Sequence, residues 1–454
     1  MIATERRAVF SLGLLYSLRM LGLFMVLPVF IIYGKDLEHA NALLLGLAIG
    51  AYGLSQALFQ IPFGALSDRF GRKKLILFGL VLFFIGSLVA ALSESIYGVI
   101  LGRFLQGSGA IASVLMALLS DLTSEENRTK SMAIIGMSIG ISFSCALILG
   151  PIVSSYFGLQ GIFYLTALLA LLGMVWLLVY VPSPIQKSAD RNTLLFKDQI
   201  RVVLENKELL RLDFGIFALH MSLTAVFIAV PMSLQNSAQV IAGDHWWVYL
   251  SVMVSSFFAM VPLIILGEKK QKMKEVFLFA ISLLALSAFS FSFTQTDLVY
   301  FWFSLFFFFM AFNLLEASLP LLVSKLSPAG NKGTAMGVYS TSQFLGAFVG
   351  GVLGGAILGL FNEVGVYLLV CLICLIWLFV AKSMARPNNE TGMTLQFSKL
   401  NNIIAQAMSD KLSEVKGVEG VVVIPEDGIA YLKVNKLQLN YQQLDDVMDC
   451  FKEP

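Results

Sequence analysis

About twelve runs of roughly twenty apolar residues follow one another along the chain, and this succession constrains the fold more than any other feature. Inside a bilayer no water satisfies a backbone N–H or C=O, so such runs must fold as spanning helices, each rising about 1.5 Å per residue. The runs lie at roughly 9–33, 43–67, 74–93, 97–120, 131–157, 161–181, 209–235, 245–266, 275–294, 298–324, 333–358 and 363–381. Hydrophobic residues form 57% of the chain and charged ones 13%, whereas a soluble domain carries about 25% charge. Arg6 and Arg7 before the first run suit a signal peptide, but the run continues past Pro28 to Ile32 without a small-residue cleavage site. It reads as a first span that is retained.

The charges between the runs separate into two faces. Arg6, Arg7, Arg128, Lys130, Lys325, Lys332, Lys382, Arg386 and the basic runs 69–74, 187–211 and 269–274 fall on one of them, the basic face. The far face holds the acids Asp36, Glu94, Asp297 and Glu363, with Lys35 as its base. Shifting the count by one span would scramble that separation, and positive-inside asymmetry then puts the basic face and both termini in the cytoplasm. The net charge of +2 is uninformative, and no basic tail suggests nucleic acid as a partner. The four cysteines form no disulfide framework. Cys371 and Cys374 read as C-x-x-C but lie in the apolar stretch 366–380, where they act as small hydrophobes. No metal and no cofactor is expected. Without a nucleophile constellation, a P-loop or a metal-ligand cluster, the chain does not read as an enzyme.

The chain also repeats itself. Asn127-Arg128-Thr129-Lys130-Ser131-Met132 and Asn331-Lys332-Gly333-Thr334-Ala335-Met336 occupy matching loops, and Gly64 and Gly267 close the second span of each half at nearly the same offset. Two parallel six-span halves are expected, 1–190 and 209–385, joined by a polar linker at 191–208 and holding a substrate site between them. After Arg386-Pro387-Asn388-Asn389 the composition becomes that of a small soluble domain, 394–454. Its elements are a strand near 394–397, a helix at 398–412, strands at 420–424 and 429–434 around an Asp427-Gly428 turn, and a final helix striped by Leu444, Val447, Met448 and Phe451. The order β-α-β-β-α is a ferredoxin-like plan without its last strand. Either the domain is a trimmed variant or its first strand is misplaced. It resembles heavy-metal-associated modules in order but lacks their Cys-x-x-Cys, and its nine acids against six bases argue against RNA. A regulatory or self-association role is expected.

Gly64-Ala65-Leu66-Ser67-Asp68-Arg69-Phe70-Gly71-Arg72-Lys73-Lys74 joins the second and third runs by a short, densely charged loop. Arg72, Lys73 and Lys74 alone would fix topology; an Asp beside an Arg is not needed for that. Gly64, without a side chain, admits a neighbouring helix. Asp68 is placed to accept bonds from the free N–H groups at the start of the eleventh span near Gly333, and Arg72 to pair with Asp121. The loop resembles the signature G-x-x-x-D-R-x-G-R-K between helices 2 and 3 of the major facilitator superfamily. Arg103-Phe104-Leu105-Gln106-Gly107-Ser108-Gly109-Ala110 resembles its fourth-helix motif R-x-x-Q-G-x-G-A. Gly140 and Gly150-Pro151 resemble its antiporter motif G-x-x-x-G-P-x-x-G-G, with Ala146 and Ser154-Ser155 in place of glycines.

The resemblance covers about the first 385 residues. It implies an all-α membrane protein with the twelve-helix major facilitator fold, two six-helix bundles, followed here by the α+β ferredoxin-like domain. With that domain the chain resembles the YajR subgroup of drug:proton antiporter-type members. In the family the loop, here Gly64, Asp68, Arg69, Gly71 and Arg72 with Asp121, switches a transporter between access states, and the arginine matched by Arg103 is implicated in proton transfer.

Arg19, Arg103, His220, Asn313 and Glu316 lie at membrane depth, are costly to bury there, and are the candidates for cavity lining or proton coupling. Glu316 is preferred to His220 as a proton carrier; a structural ion pair is the other reading. The first span shows no acid. Gly107, Gly150, Pro151, Gly346, Gly350 and Gly354 read as helix-packing positions. The phenylalanine run 306–309 reads as lipid-facing. The resemblance implies a secondary transporter of the cell inner (plasma) membrane, exporting amphipathic or hydrophobic small molecules against protons by alternating access. Its partners are then a small-molecule substrate, protons and the lipid bilayer. Proton-coupled uptake of a small solute and a non-transporting membrane sensor are the alternative readings.

Overall fold

The computed structural model describes residues 3–182, 196–269, 272–294, 296–327, 332–384, 390–397, 402–425, 428–435 and 438–451. Ten of its helices are long and apolar enough to cross a membrane. Two of these, Lys130–Val179 and Gly333–Lys382, are 50 residues long. At 1.5 Å per residue that is about 75 Å, more than twice a hydrocarbon core of about 30 Å. Each is broken by non-helical backbone, at Gly158 (φ 65°) and at Phe361 with Asn362 (φ 57°), and so supplies two spans. The described residues therefore hold twelve. Spans 1 to 4 are Glu5–Phe24, Ala42–Phe70, Arg72–Leu92 and Ile96–Leu122, and spans 5 and 6 flank Gly158. Spans 7 to 10 are Lys207–Ser237, Ala242–Gly267, Met273–Thr294 and Leu298–Leu326, and spans 11 and 12 flank Asn362.

Backbone chemistry explains where the spans depart from the sequence reading. Span 1 ends at Phe24 rather than near 33, because Pro28 has no N–H to continue the ladder and the chain turns into a separate short helix, Phe30–Tyr33. The helix of span 1 also starts earlier, at Ala3, and does contain an acid. Glu5 is buried and accepts bonds from the Ser124 backbone N–H (2.7 Å) and the Asn127 side-chain amide (3.0 Å). Span 4 is interrupted between Ile96–Ser108 and Ala112–Leu122. Just before the break, Gly107 lies so close to span 2 that a Cβ would overlap the Tyr52 carbonyl. The linker carries a helix, Phe196–Glu205, and its residues 191–195 lie outside those described. The phenylalanine run is not uniformly lipid-facing: Phe308 and Phe309 are buried while Phe307 is exposed, since four consecutive helical residues point all round the axis.

Two apolar cores show how the halves meet. One unites the C-terminal half with the far-face ends of the N-terminal half, among them Met25, Leu45, Phe143 and Ile162. The other is the basic-face part of the N-terminal half, with Val9, Phe63, Ile76 and Leu118. The far-face junction is a contact of backbones between spans 2 and 11. A Cβ on Gly46 would lie 2.8 Å from Gly355 Cα, one on Gly50 2.8 Å from the Phe348 carbonyl, and one on Gly351 2.9 Å from the Gly50 nitrogen. Phe143 of span 5 adds ring contacts to Phe227 and Phe312 across the junction, each with centroids 6.3 Å apart. Toward the basic face the situation reverses: a Cβ on Gly136, Gly140, Gly333 or Gly337 would meet nothing within 4 Å. The protein is thus sealed at the far face and cleft open at the basic face.

Span 11 presents a second glycine face inside its own half. A Cβ on Gly350 would lie 2.8 Å from Met221 Cα, on Gly346 2.8 Å from Phe217 Cα, and on Gly354 3.2 Å from Ala225 Cα, so these three glycines seat span 11 on span 7. Gly150 plays the same part in span 5, where a Cβ would lie 2.6 Å from the Met25 carbonyl; Pro151 follows it within the helix.

The C-terminal domain contains β1 (Glu390–Gln396), a helix Asn402–Ser413, β2 (Val418–Ile424), β3 (Ile429–Asn435) and a helix Tyr441–Phe451. The sheet order is β1-β3-β2, with β3 antiparallel to both neighbours. That is the split βαβ arrangement of a ferredoxin-like fold. β1 begins at Glu390, earlier than the sequence suggested. Residues 398–401 and Asp427 of the turn lie outside those described, and Gly428 holds a left-handed φ of 63°. Met408, Leu412, Ala430, Leu432 and Val434 form the domain core.

Overpacking a tight contact costs about 1–3 kcal/mol. Gly46→Val should therefore lower the equilibrium constant favouring the far-face-sealed state by roughly fivefold to a hundredfold, since 1.4 kcal/mol is a factor of ten. Distances between spin labels at the far ends of spans 2 and 11 should lengthen, whereas Gly136→Ala, on the open side, should leave them unchanged.

Candidate functional site

Gly71 alone separates spans 2 and 3. Its φ of 94° is one that a Cβ disfavours, so the tight link requires glycine. It brings Asp68, in the last turn of span 2, beside Arg72, the first residue of span 3. Arg72 Nη2 lies 2.5 Å from Asp68 Oδ1, Nε lies 3.1 Å from Asp121 Oδ2, and Nη1 donates to Ser67 Oγ at 2.5 Å. One guanidinium therefore joins spans 2, 3 and 4. The Asp68 side chain is 55% exposed, so its pair contributes at most about 1 kcal/mol. Lys73 Nζ donates to the Val181 carbonyl (2.8 Å) and ties in the end of span 6. Arg69 stacks its guanidinium on the ring of Phe70 (5.8 Å).

Two expectations for this loop are not met in the described state. Among the described residues Asp68 has Arg72 as its ion partner, not the start of span 11, which lies on the open side of the cleft. A Cβ on Gly64 would meet Ser113 Oγ at an ordinary 3.6 Å, so Gly64 marks no close helix approach here. Both departures follow from spans 2 and 11 touching at their far ends and splaying toward the basic face.

In the N-terminal half, Arg19 (2% exposed) and Arg103 (1%) are buried between helices instead of lining the cleft. Arg19 Nη2 donates to the Tyr52 hydroxyl (2.8 Å), Gln56 Oε1 (2.8 Å) and the Gly109 carbonyl (3.0 Å). Arg103 Nη1 donates to Gln106 Oε1 (2.8 Å), and its guanidinium sits 5.2 Å from the centre of the Tyr52 ring. Gln106 Nε2 continues the chain to Ser87 Oγ (2.9 Å). Neither arginine has a carboxylate partner among the described residues. Arginine keeps its charge in proteins, so this network holds two fixed cations between helices. Tyr52, Gln56 and Gln60 were not singled out from the sequence, although polar residues every fourth position in an apolar span are its signal.

The C-terminal half holds the titratable cluster. Gln343 Nε2 lies 2.8 Å from His220 Nε2 and 3.5 Å from Glu316 Oε1. An amide NH₂ only donates, so the imidazole accepts at Nε2 and carries its proton on Nδ1 when neutral. Nδ1 faces Glu316 Oε2 at 3.9 Å, too long for a hydrogen bond. The Glu316 side chain is 39% exposed. Acids in spans face a bundle interior or a water-filled cavity, which fits exposure toward the cleft, while Oε2 itself is buried without a hydrogen-bond partner among the described residues. Asn313, one turn before Glu316, donates to Ser256 Oγ at 3.4 Å. Gln343 was missed in the sequence because an amide in an apolar helix carries no charge to draw notice. Asp213 and Tyr339, also buried, were missed too. Among the described residues no group of His, Cys, Asp and Glu could hold a metal ion, and Cys374 is a buried thiol 3.6 Å from Ser222 Oγ.

Comparison with known proteins places this architecture. A Major Facilitator Superfamily profile matches residues 12–351 and 212–408. The chain is 47% identical over 445 residues to the inner membrane transport protein YajR of Escherichia coli (strain K12), spanning 98% of this chain and 97% of that one. It is 26% identical over 359 residues to multidrug resistance protein 2 of Bacillus subtilis (strain 168), spanning 75% and 86%. In fold it is similar to a bacterial homolog of the human lysosomal transporter Spinster in an inward-facing and unoccupied conformation, with a TM-score of 0.69 at 13% identity over 85% of this chain and 98% of that one. Twelve spans in two halves and a profile match over most of the chain show that it belongs to the Major Facilitator Superfamily, as a multi-pass transporter of that type and not an enzyme.

Proposed function

We propose that the protein is a proton-coupled exporter of amphipathic or hydrophobic small molecules, working by alternating access in the inner (plasma) membrane with its basic face and both termini in the cytoplasm. The observation that carries this reading is Glu316, an acid at membrane depth, open to the cleft and held beside His220 through Gln343. The cleft opens on the basic face, which the positive-inside rule assigns to the cytoplasm, and an exporter takes up its cargo there. A proton on Glu316 removes its attraction for His220 and its need for a polar neighbour. Closing the cleft would bring the start of span 11, with its free N–H groups, toward the half-exposed Asp68 carboxylate. Asp68 would then hold the opposite state while Arg72 and Asp121 remain paired.

The energies are commensurate. One charge crossing the full membrane field is worth about 2.3 kcal/mol per 100 mV. A hydrogen bond to a charged group contributes about 1.5–3 kcal/mol, so one proton is enough to bias such a lock. The Escherichia coli relative is an inner membrane transport protein and the Bacillus subtilis relative a multidrug resistance protein, and both are compatible with this reading. We assign the C-terminal domain a regulatory or self-association role.

Proteoliposomes with an imposed pH gradient and a panel of lipophilic dyes test the reading in both directions. Wild-type protein should drive efflux-directed flux, and Glu316→Gln should lower it by about tenfold or more, the equivalent of 1.4 kcal/mol. Asp68→Asn should slow turnover comparably while leaving dye binding intact. Normal export by both variants would refute the site assignment, and gradient-driven flux only in the uptake direction would refute export. Deleting residues 385–454 should preserve gradient-driven flux and change its rate; complete loss of flux from a folded protein would instead place the domain in the transport machinery.

A further inference from the structure

We propose that the basic-face ends of spans 1 and 5 form a binding site for an anionic phospholipid, with Arg6 and Lys130 on its phosphate and an apolar groove below them for the upper part of an acyl chain. The site rests on the membrane topology alone and is independent of the exporter reading. Arg6, Val9, Phe10, Lys130 and Ile134 line one open groove of about 430 Å³ between the two helices. The helices stand side by side here: a Cβ on Gly13 would lie 3.6 Å from Ile135 Cδ1, and Glu5 accepts from the Ser124 N–H that precedes the helix of span 5. Both walls carry one pattern, a cation followed four positions on by an apolar residue: Arg6 with Phe10, and Lys130 with Ile134. Four residues make about one turn, so each apolar side chain lies about 6 Å farther along its helix, on the face of its cation.

That level is the membrane boundary. The apolar stretches of spans 1 and 5 begin at Glu5 and Lys130, so the two cations stand where lipid phosphates lie, and Val9, Phe10 and Ile134 where acyl chains begin. Phe10 is 67% exposed, and it precedes Arg19 by two and a half turns, which puts it on the opposite face of span 1. Arg19 reaches into spans 2 and 4, so Phe10 looks away from the bundle and toward lipid. Among the described residues neither cation pairs with a carboxylate. Glu5, the acid next to Arg6, is buried and turned to Ser124 and Asn127, and Asp121 is bonded to Arg72. Two uncompensated cations attract a phosphodiester that carries net negative charge, whereas a zwitterionic headgroup would bring its own ammonium against them. A soluble phosphate would match the cations and leave the apolar groove unused. A phospholipid matches both, in the order in which the helices display them.

Native mass spectrometry of the full-length protein in detergent, titrated with phosphatidylglycerol or phosphatidylethanolamine, tests this without any transported substrate. The first lipid bound by the wild type should be phosphatidylglycerol in preference to phosphatidylethanolamine. Arg6→Gln and Lys130→Gln should each weaken its binding about fivefold, the equivalent of about 1 kcal/mol for one basic residue near an anionic surface, and the double variant about twenty-five-fold. Lys382→Gln, which removes a basic-face cation at the end of span 12, should leave binding unchanged. Ile134→Trp keeps every charge but fills the groove, and should weaken binding as well; should it fail to fold, Phe10→Ala must show the loss instead. Excess inorganic phosphate should not displace the lipid. Undiminished binding in the double variant, an equal loss in Lys382→Gln or no preference between the two lipids would each overturn the site. Displacement by inorganic phosphate, or indifference to the groove substitutions, would overturn it as a lipid site and leave a free-anion site or diffuse attraction. Gradient-driven flux is read separately, and its presence or absence leaves this result unaffected.

Discussion

The contact between Gly46 and Gly50 on span 2 and Gly351 and Gly355 on span 11 is what the rest of the structure depends on. Helices in lipid gain nothing by hiding apolar side chains from one another, because acyl chains are equally apolar. What holds them is close packing, and glycine permits the closest. Here the four glycines bring backbones of the two halves together at one end only. At the other end the same two spans have splayed, and the glycines of spans 5 and 11 there face open space. A joint confined to one end is one that can be exchanged for a joint at the other, which is the physical requirement for a pair of bundles that rocks.

Charge at membrane depth is divided between the halves by residue type. The N-terminal half holds Arg19 and Arg103, solvated by Tyr52, glutamine side chains and carbonyls. These charges do not change with pH. The C-terminal half holds Asp213, His220 and Glu316, side chains of titratable type. Within the bilayer's depth the first bundle thus carries fixed cations and the second the titratable side chains.

The spans were legible in the sequence because each is a local property: twenty apolar residues identify a helix in lipid whatever surrounds it. The errors fell where backbone chemistry acts over a few residues, at Pro28, at the break in span 4 after Gly107, and at the start of β1. The charged loop was legible as a cluster, and its Arg72–Asp121 pair lies at 3.1 Å. The partner of Asp68 was not, since which helix ends come together is decided by the packing of whole halves and not by the loop's own residues. Glu316 and His220 announced themselves by their cost. Gln343 and Tyr339 did not, because uncharged polar side chains are common enough in spans to pass as packing.

By itself the sequence determined residence in the membrane, the number of spans, the basic face and the order of elements in the C-terminal domain. Those follow from transfer free energies and turn chemistry that add up along the chain. Only the tertiary structure decided which ends of the halves are joined, which glycines of span 11 meet its own half and which meet the other, and that Glu316, Gln343 and His220 form one group. A helix displays its faces in its sequence, but the helix it will face is chosen by packing among all the others.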